Sequence, residues 1–309
     1  MPVNIGDIIK NTLYAMYDDR QLFIMVLIQA IILSIISYAL IVTTFGATLL
    51  LLANPLNSII TNPTGFLNTI AQILWDMGVI EVVSFLLQIF FVNAIIVKAY
   101  YGKRMGIGEA YRVALSRYLY ALADYVLVGL GYGLSYLAII LLLLASPLFF
   151  IFYIPYFLLA IYAALMISLT IPYATVGKKG PIESLKMSWD SVKGNWWGIF
   201  LSLLVISIIY YLITLVASVP LIVQISTSIF TSVLAKTNGA TLNASAQSAL
   251  TANLTKTIVS SEVSAFESPW FFLASVITII IYSWFPIALT LIYKSLATVQ
   301  RKTVQTTKK

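Results

Sequence analysis

The chain has 309 residues, 61% of them hydrophobic and 9% charged, with 18 Lys and Arg against 11 Asp and Glu, and its mean hydropathy is +0.97. A soluble domain carries about 25% charged residues, so too few polar side chains are present to cover a water-facing globule, and the class is a polytopic helical membrane protein. The sequence has no Cys and no His, which excludes disulfides and thiolate ligands and removes the commonest general base and metal ligand.

Residues 1–20 read as an amphipathic helix, with Ile5, Ile8, Ile9, Leu13 and Met16 recurring at spacings of three and four. Asp7, Asp18 and Asp19 and the lack of a long apolar core speak against a signal peptide. Asp18-Asp19 reads as a solvated pair, because adjacent helical residues diverge by about 100°. Residues 21–75 carry no charge, and the first span is placed at 22–43. The stretch 44–72 holds Asn54-Pro55, Asn62-Pro63 and Gly65 and reads as an irregular outer loop with some interfacial helix. The second span covers 77–99, with Glu81 near one end and Lys98 at the other.

A second amphipathic stretch follows, with Ile107, Ala110, Tyr111, Ala114, Leu115 and Tyr118 on one stripe. Residues 125–177 are uncharged and too long for one span; Ser146-Pro147 divides them into spans at 125–145 and 149–173. A third amphipathic stretch, Gly177–Trp197, leads into span five at 196–218, which Pro220 is expected to break or kink. Residues 226–268 form a Ser/Thr-rich loop. Span six covers 270–293, and 294–309 is a basic tail. The fold class is therefore all-α: one integral membrane domain, six spans in three hairpins, with amphipathic helices between them.

All basic residues except Lys236 and Lys256 lie in the N-terminal segment, the 98–117 loop, the 178–193 loop and the tail. The positive-inside rule then puts these segments and both termini in the cytoplasm of a cell membrane, and the 226–268 loop outside. The charge thus reports topology and contact with anionic lipid, not nucleic acid. In the outer loop, Leu242, Ala246, Leu250, Leu254 and Ile258 suggest a short amphipathic helix. Asn243-Ala-Ser and Asn253-Leu-Thr match the N-glycosylation acceptor pattern.

The three amphipathic stretches share a register. Asp7-x-x-Lys10-x-x-Leu13 recurs as Glu109-x-x-Arg112-x-x-Leu115 and as Glu183-x-x-Lys186-x-x-Trp189. An acid three before a base favours a helical ion pair. Each stretch precedes one outward and one returning span, so the unit is an amphipathic helix plus a hairpin, used three times.

In the central stretch an acidic residue is followed by Ser184-Leu185-Lys186, Ser188-Trp189 and Lys193-Gly194-Asn195 with aromatics after it. This pattern, with the Gly-Ile-Gly-Glu-Ala loop at 106–110, resembles a broad prokaryotic six-helix family that includes the membrane domain of glycerophosphodiester phosphodiesterases. The resemblance implies the fold. It implies no phosphodiesterase activity, because the catalytic domain of those fusions depends on paired histidines and metal-binding carboxylates, and this chain has no His.

In the same stretch Ile182, Leu185, Trp189 and Val192 form an apolar face, and Glu183–Lys186 and Lys186–Asp190 are expected ion pairs. Leu185 and Trp189 are expected to hold the helix on the membrane, and Lys178, Lys179 and Lys193 to meet anionic lipid. Trp189, Trp196 and Trp197 are expected interface anchors. Gly129 and Gly133, with Ala160, Ala164 and Ser168 at matching spacing, suggest close packing of spans three and four. No charge falls at the middle of a span; Glu81 and Asp124 sit near span ends. Pro155, Pro220 and Pro286 therefore read as packing kinks and not as a broken-helix substrate site. No metal cluster, nucleophile–base pair, phosphate loop or cofactor site is visible. The expected function is a non-enzymatic membrane module, a scaffold or accessory subunit that engages lipid, a partner protein or a second copy. The alternative is a transporter or permease.

Overall fold

The structure, a computed structural model, describes residues 4–40, 63–145, 151–237 and 268–307. The sequons at Asn243 and Asn253 and the expected helix over 242–258 lie outside these residues. The described chain is all helical. Amphipathic α1 (Ile5–Asp18) leads into α2 (Arg20–Leu40), and α3 (Pro63–Tyr101) returns. Then α4 (Ile107–Ser116) leads into α5 (Tyr118–Ala145), and α6 (Tyr153–Met166) with α7 (Thr170–Thr175) returns. Last, α8 (Pro181–Lys193) leads into α9 (Trp196–Thr237), and α10 (Pro269–Tyr282) with α11 (Trp284–Thr307) returns. Six of these stretches are long and apolar enough to cross a bilayer: 20–39, 78–104, 118–142, 153–175, 196–224 and 269–298. The chain is a multi-pass helical membrane protein.

Several boundaries differ from expectation. Residues 63–72 are helical and not loop, because Pro63 is the first residue of α3, where its missing N–H costs nothing. Pro220 lies inside α9 and does not break it, and the helix runs on to Thr237, twelve residues into the expected loop. The returning spans break instead at prolines whose rings would meet the carbonyl four residues back. Ser168, four before Pro172, lies in the gap between α6 and α7, and Tyr282, four before Pro286, ends α10. Pro155 sits harmlessly in the first turn of α6, and the tail is helical to Thr307.

The described residues form two compact units. The second, Leu27–Leu87 with Tyr210–Ile281, is made of span segments; within it the Ser34 and Ser275 hydroxyls meet at 3.0 Å. The first, Met1–Val26, Gln88–Ile209 and Tyr282–Lys309, contains all three amphipathic helices. Aligning Asp7, Glu109 and Glu183 makes Ile8, Ala110 and Ser184 equivalent, and likewise Thr12, Ala114 and Ser188. All of these are buried. Each helix docks on a returning span through these positions. On α11, Ile8 shares a cluster with Ile292, Tyr293 and Leu296. On α3, Ala110 and Ala114 pack with Ala94 and Val97, and Tyr111 stacks on Phe90 at 5.6 Å. At α7, Ser188 bonds to Leu169 just before the helix and Ser191 to Tyr173 within it.

Tyrosines join the ends of these returning spans. Tyr173 meets Tyr293 edge-on at 4.8 Å, and Tyr293 lies 5.8 Å from Tyr100. The chain leaves this cluster at Gly177, where an added Cβ would sit 2.6 Å from the Tyr173 carbonyl oxygen and 3.1 Å from the Tyr293 hydroxyl. At Gly180 a Cβ would meet nothing within 4 Å. Gly177→Ala should therefore lower stability by about 1–3 kcal/mol, the usual cost of overpacking, while Gly180→Ala should not; thermal unfolding in detergent compares them. Equal melting temperatures for the two variants would contradict the packing described.

Candidate functional site: helix α8 and the groove beside it

Helix α8 starts at Pro181, suited to the first turn, and ends before Gly194. Its buried face is a serine stripe. The Ser184 hydroxyl sits 2.9 Å from both carboxylate oxygens of Asp124 and 2.7 Å from the Pro181 carbonyl. Ser188 Oγ donates to the Met166 carbonyl at 2.8 Å and accepts from Leu169 N–H at 3.1 Å. These backbone groups are freed where the α6–α7 break interrupts the helical ladder. The Ser191 and Tyr173 hydroxyls meet at 2.6 Å. Val192 completes the face, fully buried.

The apolar face expected to meet the membrane is distinct from this serine docking face and overlaps it at Val192. Val192 is buried and Leu185 half-buried, but Ile182 is 79% exposed and Trp189 42%. Serine wins the inner position because small side chains let helix backbones approach closely and can satisfy broken-helix backbone groups. At 100° per residue, Trp189, Ile182, Lys193 and Lys186 lie about 40–100° to one side of Leu185. Val192, Ser188, Ser184 and Ser191 lie about 20–120° to the other side. Lys186 and Lys193 are exposed, as is Lys178. Lys178 takes the left-handed conformation at φ 55°.

Lys179 is held by Glu183 at 2.6 Å. None of the expected pairs Asp7–Lys10, Glu109–Arg112, Glu183–Lys186 and Lys186–Asp190 closes within 4 Å among the described residues. Of the tryptophans, Trp197 is 58% exposed. Trp196 and Trp189 both meet Tyr162 of α6 edge-on, at 6.0 and 6.2 Å.

Beside α8, helices α5 and α6 enclose a groove of about 320 Å³, lined by Leu127, Gly131, Leu159, Ala160 and Ala163 among others, with Leu185 contributed by α8. The two helices are tied by the Tyr132 hydroxyl donating to the Ala160 carbonyl at 3.0 Å and by Ser135 meeting Tyr156 at 3.0 Å. The expected glycine contact is not made. Gly129 and Gly133 are exposed with nothing within 4 Å of an added Cβ. The tyrosine bridge holds the helices together from a neighbouring face. Of the partner positions, Ala160 supplies the bridging carbonyl, Ala164 is exposed, and the Ser168 hydroxyl is buried with no hydrogen-bond partner.

The burial and pairing of three charged residues, Asp19, Lys98 and Asp124, are the main feature missed in the sequence. Asp19 is buried, not solvated. It occupies the joint between α1 and α2, where its Oδ1 accepts from the N–H groups of Gln21 and Leu22 at 3.0 and 3.3 Å, an N-cap. Its Oδ2 lies 3.0 Å from Lys98 Nζ. Lys98 is fully buried, and its ammonium also reaches Gln21 Oε1 and the Gly102 and Met105 carbonyls at 2.7–3.0 Å. Asp124 is fully buried inside the 118–142 span, with no Lys or Arg within 4 Å among the described residues. A cap residue directly before an apolar run was the readable signal for Asp19. The Ala/Ser register of the repeats was the signal for the serine stripe.

Among the described residues no group of His, Cys, Asp and Glu could hold a metal ion. Comparison with protein-family models, with curated proteins and with solved structures finds no match to this chain.

Removing Lys98 strands the Asp19 carboxylate in the interior. Lys98→Met should therefore cost about 3–5 kcal/mol, and adding Asp19→Asn, which keeps the cap, should recover part of the loss. Thermal unfolding of both single variants and the double variant gives the coupling; strictly additive losses would contradict a direct pair.

Proposed function

We propose that the chain is a non-enzymatic membrane module, a scaffold or accessory subunit, that engages anionic lipid through the outer face of α8. The observation that carries this reading is the stripe of Ile182, Lys186, Trp189 and Lys193 left facing outward by the docked serines. Alternating apolar and basic groups at the end of a span suit the headgroup boundary: the aromatic and aliphatic side chains enter it, and the lysines meet phosphates. Equivalent outward positions on the other repeats carry Arg112, Leu115 and Leu119, and Lys10 and Tyr17, also largely exposed. The three faces form one basic collar. Lys179 contributes less, because Glu183 already neutralises it.

The same basic asymmetry orients the chain in a cell membrane, with the collar and both termini cytoplasmic. The chain has no Cys, so single cysteines at Lys103, Lys179 and Asn243 can be probed with an impermeant thiol reagent in intact cells. Labelling at 243 alone fits this orientation; labelling at 179 with protection at 243 reverses it. Membership of the six-helix family stands beside this reading, supported by the threefold element order. An experimental structure of a member without buried equivalents of Ser184 and Ser188 would remove it. A permease draws on one observation, the buried Asp124 within a span, since intramembrane carboxylates line ion and proton paths.

The lipid reading is tested by native mass spectrometry of protein isolated in mild detergent. Lys186→Gln and Lys193→Gln should each weaken phosphatidylglycerol retention about fivefold, near 1 kcal/mol, with phosphatidylcholine unaffected and Lys179→Gln having a smaller effect. Unchanged retention in the Lys186→Gln/Lys193→Gln double variant, or Asp124-dependent solute flux in proteoliposomes, would overturn it.

A further inference from the structure

The groove between α5 and α6 has a chemistry that narrows its occupant. No charged side chain lines it. Its polar groups are the hydroxyls of Tyr132, Ser135 and Tyr156, and their hydrogens are used within the wall. Tyr132 donates to the Ala160 carbonyl, Ser135 donates to the Tyr132 carbonyl at 2.9 Å, and Tyr156 then donates to Ser135. A phosphate, carboxylate or sugar entering the groove would find no side-chain donor among these hydroxyls and would lose its hydration. A hydrocarbon chain loses nothing.

Depth and surroundings point the same way. Leu127 to Ser135 lie roughly 14–26 Å along α5 from its first residue at 1.5 Å per residue. The hydrocarbon core is about 30 Å thick, so the groove reaches the bilayer interior, where acyl chains are the solvent. Its volume falls at the low end of the roughly 300–1,000 Å³ typical of small-molecule sites. A concave wall surrounds a chain with more atoms than a flat helix face does, so dispersion favours it over the general lipid boundary. At the α8 end Leu185 meets the groove, and Lys193 and Lys186 follow on the side of α8 that carries Trp189.

We propose that this groove holds one acyl chain of an anionic glycerolipid whose phosphate meets Lys186 and Lys193. The proposal rests on the lipid-engaging reading of α8 for the headgroup and on the groove alone for the chain, so the two can fail separately. The test uses the full chain in nanodiscs of phosphatidylcholine and phosphatidylglycerol, with a photoreactive diazirine on the acyl chain of one or the other, and adducts mapped by mass spectrometry.

The expected result is adduct formation concentrated on Leu127, Gly131, Leu159 and Ala163 with the phosphatidylglycerol probe. It should fall about tenfold in Ala163→Trp, which fills the groove. Leu159→Phe, a milder filling, should act in the same direction if Ala163→Trp fails to fold, as judged by circular dichroism. Adducts spread evenly over exposed α5 residues such as Leu119, Leu130 and Leu134, or undiminished by both filling variants, would mean boundary lipid only and overturn the groove. Groove adducts that persist in Lys186→Gln/Lys193→Gln with equal yield from both probes would overturn the anionic headgroup assignment while leaving the chain site standing.

Discussion

Everything in the first unit depends on how closely three amphipathic helices approach the returning spans. In hydrocarbon there is little hydrophobic force between helices, because lipid tails are as apolar as leucine, so association rests on close packing and hydrogen bonds. Position by position, the repeats meet that constraint with Ile8 and Thr12, Ala110 and Ala114, and Ser184 and Ser188, all buried. The first helix docks on α11, the second on α3 and the third on α7, so each amphipathic helix packs on a returning span of the preceding repeat and the first closes on the last. Tyr100, Tyr173 and Tyr293 join the ends of those spans within the same unit.

Close packing of this kind buries polar groups, and the structure gives the charged ones and the serine stripe partners of matching chemistry. Lys98 is fully buried yet surrounded by one carboxylate and three oxygen acceptors. It ties the end of α3 to the joint between α1 and α2. A buried pair of this sort adds little net stability relative to apolar residues and is costly to break from one side. Its consequence is a fixed geometry for the joint. Ser188 plays the same part for the backbone freed by Pro172. With the inner faces committed in this way, Lys186, Trp189 and Lys193 of α8 are left exposed.

The number and order of helices were legible because an uncharged run of about 20 residues has no other stable form than a spanning helix. The amphipathic helices were legible from their register. Which face of α8 docks was not. Apolar periodicity picks out Ile182, Leu185, Trp189 and Val192, whereas the face that docks is built largely of Ser184, Ser188 and Ser191, which carry no hydrophobic signal. Proline misled as well. Its effect depends on whether the span tolerates a missing hydrogen bond, as α9 does at Pro220, or separates into two helices, as at Pro172 and Pro286. The burial and pairing of Asp19, Lys98 and Asp124 were not legible because their partners lie far away in sequence: 79 residues for Asp19–Lys98, and 60 for Asp124–Ser184.

The closure of the three repeats on one another is the claim on which the rest stands. Because the chain contains no cysteine, it can be tested by disulfide trapping in native membranes, with one cysteine at Ile8 and a second at Ile292 or Leu296. The account predicts rapid, near-complete cross-linking of at least one of these pairs, comparable to a Ser188–Met166 cysteine pair across the α8 contact. Efficient cross-linking at 188–166 with none between Ile8 and α11 would contradict the closure.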